Sequence, residues 1–208
     1  IVEHDDFVKG IQLERMYAQA ANTPSDINEH CPRLRELARE CDHVVEFGTR
    51  HAVSTVALMA GRPKSLVTVD LNGCASCTEN SLIGAARSVG MEFESITANT
   101  LELPPIKRAD MLFIDTYHTA KQVMGELDRH ASQVRKIIAF HDTEAPWGQH
   151  GEDGGPGVMI GIEQWLVEHP EWIIAERHAN NHGLVVLRRT DAATAESIEE
   201  SELIGELL

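Results

Sequence analysis

This chain is short of bases relative to acids, and short of aromatics. Its 208 residues include 18 lysines and arginines against 33 acids, a net charge of -15, and only 5% aromatics. So acidic a surface repels phosphate backbones, which argues against nucleic acid as a partner. Part of the excess is local: 190–208 holds Asp191, Glu196, Glu199, Glu200, Glu202 and Glu206 and no base. No apolar run approaches the ~18 residues that cross a bilayer, so no membrane span is expected. The cysteines Cys31, Cys41, Cys74 and Cys77 are too few for a disulfide framework in so long a chain. Cys74-Ala-Ser-Cys77 has redox or half-zinc spacing, but no second CxxC follows it. Free thiols and a cytoplasmic location are therefore expected. The sequence begins at Ile1 rather than Met, which leaves open a trimmed start or a lost signal peptide.

What is present is ordinary for a globular chain, 42% hydrophobic and 25% charged. The length suits one α/β domain. Its most informative feature is a pair of apolar runs with polar ends. Met111-Leu112-Phe113-Ile114 closes on Asp115, and Ile137-Ile138-Ala139-Phe140 closes on His141-Asp142, 26 and 27 residues further on. Short apolar runs bounded by polar residues read as buried parallel strands, with a helical crossover between them. Ligands in open α/β sheets bind beyond the carboxyl ends of the strands. Asp115, His141 and Asp142 are thus expected to face one cleft.

Further strands are predicted at 43–47, 66–69 (ending on Asp70) and 93–97, with helices at 53–60, 81–89, 119–132 and 158–169. The stretch 144–157 contains Pro146, Trp147, Pro156 and five glycines, and reads as a mobile lid. Its His150, Glu152 and Asp153 read as solvated. Two late strands, 172–176 and 183–187, flank Asn180-Asn181-His182-Gly183, a turn sequence, and are predicted to finish the sheet as an antiparallel hairpin. Ahead of the first strand, helices over 3–21 and from Ser25 or Asp26 to about Glu40 are read as a flap. The expected fold is α/β: a doubly wound, seven-stranded, mostly parallel sheet with a final antiparallel hairpin and helices on both faces. The expected layout is a helical flap (1–41), an α/β domain (42–189) and an acidic tail (190–208).

Strand one runs into Gly48 and a helix, and Asp70 ends strand two 22 residues later. That is nucleotide-binding geometry, since backbone amides at the turn approach a ligand and the acid accepts from ribose hydroxyls. The dinucleotide fingerprint GxGxxG is absent, because Arg50 stands where its second glycine would be.

Glu46-Phe47-Gly48-Thr49-Arg50-His51-Ala52-Val53-Ser54-Thr55 resembles motif I of class I S-adenosylmethionine-dependent methyltransferases, in the form found in catechol O-methyltransferase-like enzymes. Val67-Thr68-Val69-Asp70-Leu71 resembles their ribose-binding acid motif. Phe113 to His118 and Phe140 to Thr143 resemble the methyltransferase-24 type, which groups cephalosporin-biosynthesis and macrolide-sugar O-methyltransferases. The resemblance spans roughly residues 25 to 189. It implies S-adenosylmethionine held by Glu46, Gly48, Thr49, Arg50, Ser54, Asp70, Leu71, Asn99 and Asp115, and methylation of a small-molecule hydroxyl. Three positions depart from the pattern: Ala52 replaces a second glycine, Asn99 an acid that contacts the adenine amino group, and His141 an acid before Asp142.

Methyl transfer to a hydroxyl requires an aligned pair and removal of a proton. His118, three residues past Asp115, occupies the offset of the histidine base in the resembling sugar enzymes, and Asp115 completes the expected catalytic pair. Asp115, His141 and Asp142 are candidates to hold Mg²⁺ or Mn²⁺, the imidazole moving the preference away from Mg²⁺. The competing readings are an NAD- or nucleotide-sugar-binding oxidoreductase and a non-catalytic S-adenosylmethionine-binding module. The expected partner is the hydroxyl acceptor, with self-association into a homo-oligomer left open.

Overall fold

In the computed structural model the described residues are 10–74 and 76–190, with the side chains of 76 and 77 outside the description. Expectations for 3–9, for the Cys77 thiol and for the tail from 191 on lie outside these residues. The elements run α1 (Ile11–Asn22), α2 (Cys31–Arg39), β1 (His43–Phe47), α3 (Val53–Ala60), β2 (Ser65–Asp70), α4 (Ser76–Ser88), β3 (Glu92–Thr97), β4 (Ala109–Ile114), α5 (Ala120–His130), β5 (Val134–His141), α6 (Val158–Leu166), β6 (Trp172–His178) and β7 (Leu184–Arg189). One seven-stranded sheet has the order β3-β2-β1-β4-β5-β7-β6. Strands β1 to β5 are parallel, and β7 lies antiparallel to both of its neighbours. The predicted closing hairpin is therefore in the sheet.

Alternation along the strands divides the core into two layers, because successive side chains leave opposite faces. Val44, Met111, Phe113, Ile137 and Val186 pack with Leu34, Leu58 and Leu82 of α2, α3 and α4. Val45, Phe47, Leu112, Ile114, Phe140 and Val185 pack with Val123, Leu127, Ile162 and Trp165 of α5 and α6. With helices on both faces β4 is buried at every position, which is why it reads as an unbroken apolar run. Leu13 of α1 and Leu34 of α2 are fully buried in the first layer, so both N-terminal helices share the core of the domain.

Two helix starts differ from the sequence reading. Helix α2 begins at Cys31, not Ser25, because Pro32 fits only a first turn; the Ser25 hydroxyl instead accepts the Asn28 N–H of a short 3₁₀ turn. Helix α4 starts at Ser76, five residues before the predicted 81. The stretch 144–157 folds on itself through bonds such as Gly151 N–H to the Gly155 carbonyl and Gly157 N–H to the Gln149 carbonyl.

Candidate functional site

At the carboxyl edge of β1 the chain turns on Gly48, in the left-handed region at φ 91°. A Cβ there would collide with the Asp115 carbonyl oxygen, so glycine is required for β1 and β4 to end side by side. Asp70, at the end of β2, fixes the turn: its Oδ2 accepts the Thr49 and Arg50 N–H groups at 2.9 and 3.0 Å, and its Oδ1 accepts that of Asn72 at 2.8 Å. The Arg50 side chain leaves the turn and pairs with Asp26 at 2.8 Å. Glu46 lies beneath, fully buried, accepting hydroxyl bonds from Ser54 (2.6 Å), Thr55 (2.6 Å) and Thr68 (2.8 Å). Burial pushes its carboxyl up to about 7 against those donors. Glu46 and Ser54, both expected to hold cofactor, are thus joined by a hydrogen bond beneath the turn.

A cavity of about 450 Å³ opens over this edge, lined among others by Gly48, Asp70, Leu71, Asn99, Asp115 and Gln122. A larger one of about 610 Å³ lies between α1, α3 and α4, and among the described residues no acid lines it. The smaller cavity is the candidate site, since it carries the strand-end acids. Behind its lining residues Thr100, Thr116 and Gln122 lies a residue that the sequence reading passed over. Glu126 of α5, fully buried, accepts from Thr100, Gln122 and Thr116, and burial pushes it up to about 7. A glutamate in the apolar stripe Ala120, Val123, Leu127 was the available signal.

Beyond Asp115 the cavity meets a cluster of acids and imidazoles. Ligand atoms of Asp115, His118 and Asp142 lie within 4.8 Å of one another. His118 Nε2 is 2.9 Å from Asp142 and 3.5 Å from Asp115, while its Nδ1 lies 2.6 Å from Glu152, close but not aligned as a hydrogen bond. His141 Nε2 donates to the Asn181 carbonyl at 3.0 Å, and its Nδ1 stands 3.1 Å from Asp142 and 3.6 Å from Asp115. His182 Nδ1 is 3.1 Å from the other Asp142 oxygen. Burial works against charge on His118 and His141, but the facing carboxylates outweigh it and push both up to about 10. The same contacts hold Asp115 and Asp142 below the usual carboxylate range despite burial. Asp142 (φ 55°) and His182 (φ 68°) are both in the left-handed region, uncommon for residues other than glycine.

Three of these neighbours were not anticipated. Glu152, read as solvated, reaches His118, and Trp147 from the same stretch stacks on that ring at 5.9 Å and 16°. His182 was read only as part of a turn. Nothing local marks these contacts, which are made by folding the glycine-rich stretch and the β6–β7 turn over one strand end.

The fold recurs in solved proteins. An O-methyltransferase from Bacillus cereus in complex with SAH superposes with a TM-score of 0.58 at 15% identity, over 86% of this chain and 90% of that one. The fold is that of the methyltransferases. The SAH-bound methyltransferase PaMTH1 of Podospora anserina gives 0.54 at 16% identity, over 86% and 87%. TomG of Streptomyces achromogenes, an O-methyltransferase of tomaymycin synthesis in complex with SAM, gives 0.52 at 17% identity, over 86% and 89%. No family model matches the chain, and no curated protein matches its sequence. Among the described residues no helix is long and apolar enough to cross a membrane.

Proposed function

We propose that this protein transfers a methyl group from S-adenosylmethionine to a hydroxyl of a small molecule of sugar or natural-product type. The observation that carries the reading is one cavity lined by the Gly48 turn, Asp70 and Asp115, with His118 and Asp142 clustered around Asp115 beside it. Asp70 has three of its acceptor positions filled by backbone and keeps capacity for a ribose hydroxyl. Leu71, 67% exposed at the rim, offers an apolar surface for a base. Gly48 lets the cofactor approach the turn closely, and Asp115 faces both the cavity and the reacting end.

The acceptor hydroxyl gives up its proton among Asp115, His118 and Asp142. His118 is the residue expected to take it, yet both of its nitrogens face carboxylates and it holds a proton up to about 10. It becomes a base once it has lost that proton to solvent, and activity should therefore rise on the alkaline side. The donor set of two carboxylates and an imidazole also fits a divalent cation held by Asp115, His118 and Asp142, with His141 beside them in the place first expected for the third ligand. Such an ion, Mg²⁺ or more readily Mn²⁺, would lower the acceptor hydroxyl's pKa.

Calorimetric titration with S-adenosylmethionine, S-adenosylhomocysteine and NAD tests the reading, followed by turnover on hydroxyl acceptors with and without chelator. Micromolar binding of the first two and none of NAD is expected. Binding of NAD instead would overturn it, and binding without turnover on any acceptor would leave a non-catalytic module.

A further inference from the structure

Gln122 is the third residue after Thr119, the cap of α5, where a glutamine ordinarily turns back to the backbone N–H of the cap. That N–H is already bound to the Tyr117 carbonyl at 2.8 Å. Gln122 reaches forward instead: its Nε2 donates to Glu126 Oε1 at 2.8 Å and to the Thr100 hydroxyl oxygen at 3.2 Å. Glu126 Oε1 also takes the Thr100 hydroxyl proton at 2.6 Å, and its Oε2 accepts from Thr116 at 3.0 Å. A carboxylate offers only acceptors, so it admits the NH₂ end of the amide and rejects the carbonyl end. A proton on Glu126 leaves this unchanged, because it would sit on Oε2, where the Thr116 hydroxyl can reverse and accept it. Gln122 Oε1 is thereby directed away from Glu126 and onto the cavity it lines, and no described residue donates to it.

The topology says which part of a ligand meets that oxygen. Asp70 ends β2, Gly48 and Asp115 lie on the β1–β4 side of it, and Ala98 to Thr100 follow β3 on the other. With the ribose at Asp70 and the sulfonium toward Asp115, the base extends to the wall where Thr100 and Gln122 are joined. Asn99, expected to meet the adenine amino group, uses its amide within its own turn: Oδ1 accepts from Leu101 N–H and Nδ2 donates to Glu102, both at 3.0 Å.

We infer that Gln122 Oε1 selects the 6-amino group of the cofactor's purine, with Glu126 as the positioning residue that fixes the direction of the Gln122 amide. The inference rests on the reading that this cavity takes S-adenosylmethionine. A 6-amino group donates to Oε1. A 6-oxo purine sets a second carbonyl oxygen against it where the amino group would donate, so that the two repel.

The experiment compares S-adenosylhomocysteine with S-inosylhomocysteine by calorimetry. The wild-type protein should bind the adenosyl compound at least about tenfold more tightly. Gln122→Met should bring that preference below about threefold, and so should Glu126→Gln, whose own amide can present either end to Gln122. If Glu126 only supported the helix, its variant would weaken both compounds alike and keep their ratio, which would remove its assigned role. Should Glu126→Gln fail to fold, Gln122→Met decides alone. Equal affinities in the wild type, or a full preference retained in Gln122→Met, overturn the inference while leaving cofactor binding intact. Failure of folded wild-type protein to bind S-adenosylhomocysteine at all would instead remove the cofactor reading and the inference with it.

Discussion

At the Gly48 end of the cleft the chain works with backbone: a left-handed glycine, the N–H groups of Thr49, Arg50 and Asn72, and one carboxylate to gather them. At the Asp115 end it works with side chains, as three imidazoles face two carboxylates drawn from the ends of β4, β5 and the β6–β7 turn. Backbone groups cannot titrate or turn round, which suits an end that only has to hold. Acids and imidazoles exchange protons, which suits an end that has to react. The price of the second design is sensitivity, since each charge there is balanced by another.

That contrast can be broken by mutation. The largest effect should come from His118→Ala, which should cut turnover by about 10² to 10⁴ and leave S-adenosylhomocysteine affinity within about threefold. A parallel loss of affinity would mean that the two ends are not separate devices. Asp142→Ala removes the carboxylate shared by three imidazoles, and unfolding in denaturant at pH 6 should show a loss of about 3 to 5 kcal/mol. A loss under about 1 kcal/mol would show that the imidazoles shed their protons without cost.

Asp70→Ala should act at the other end alone, weakening S-adenosylhomocysteine by roughly tenfold to a hundredfold with turnover at saturation little changed. Unaltered affinity in the folded variant would detach Asp70 from the cofactor. The pH dependence sharpens the comparison further. His118 and His141 are pushed up to about 10, so between the unfolded value near 6.5 and that point the folded chain binds more protons than the unfolded one. Their contribution is therefore complete below about pH 6.5 and is lost as pH rises toward 10. Metal-free protein should melt at progressively lower temperature across that window, and a flat profile would contradict the charge pairing. Arg50→Ala should do least: its pair with Asp26 is exposed, and calorimetric melting should register less than about 1 kcal/mol.

The sheet was legible because each strand is short, apolar and closed by a polar residue, and because Asn180 to Gly183 is a turn wherever it occurs. So was the Gly48–Asp70 end, whose parts lie within one β-α-β unit. Helix α2 was misjudged because Pro32 was not weighed as a start signal. The Asp115 end was only partly legible. Asp115, His118, His141 and Asp142 announce themselves at strand ends, but Glu152, Trp147 and His182 arrive from loops whose paths depend on close backbone approaches, such as Gly157 against the Trp147 carbonyl. Gln122 drew no reading from the sequence, and only the three-dimensional position of Glu126 shows what its amide does.

Asn181 gives the site an order of assembly in time. Its carbonyl accepts from both His30 and His141, its Oδ1 accepts the Glu29 N–H, and its Nδ2 donates to the Ser25 carbonyl. A chain emerging from the ribosome lays down residues 25–30 early, then β1 to β5, and only afterwards the turn that connects the two. Until that turn arrives, His141 Nε2 lacks its carbonyl and His30 its anchor, so a nascent chain with five finished strands holds the acids of the centre without their geometry. Contacts spanning about 150 residues, as from His30 to Asn180 and Asn181, are expensive to close early, and folding rates fall as such contacts come to dominate. The geometry of the cluster is thus withheld until the sheet is nearly finished.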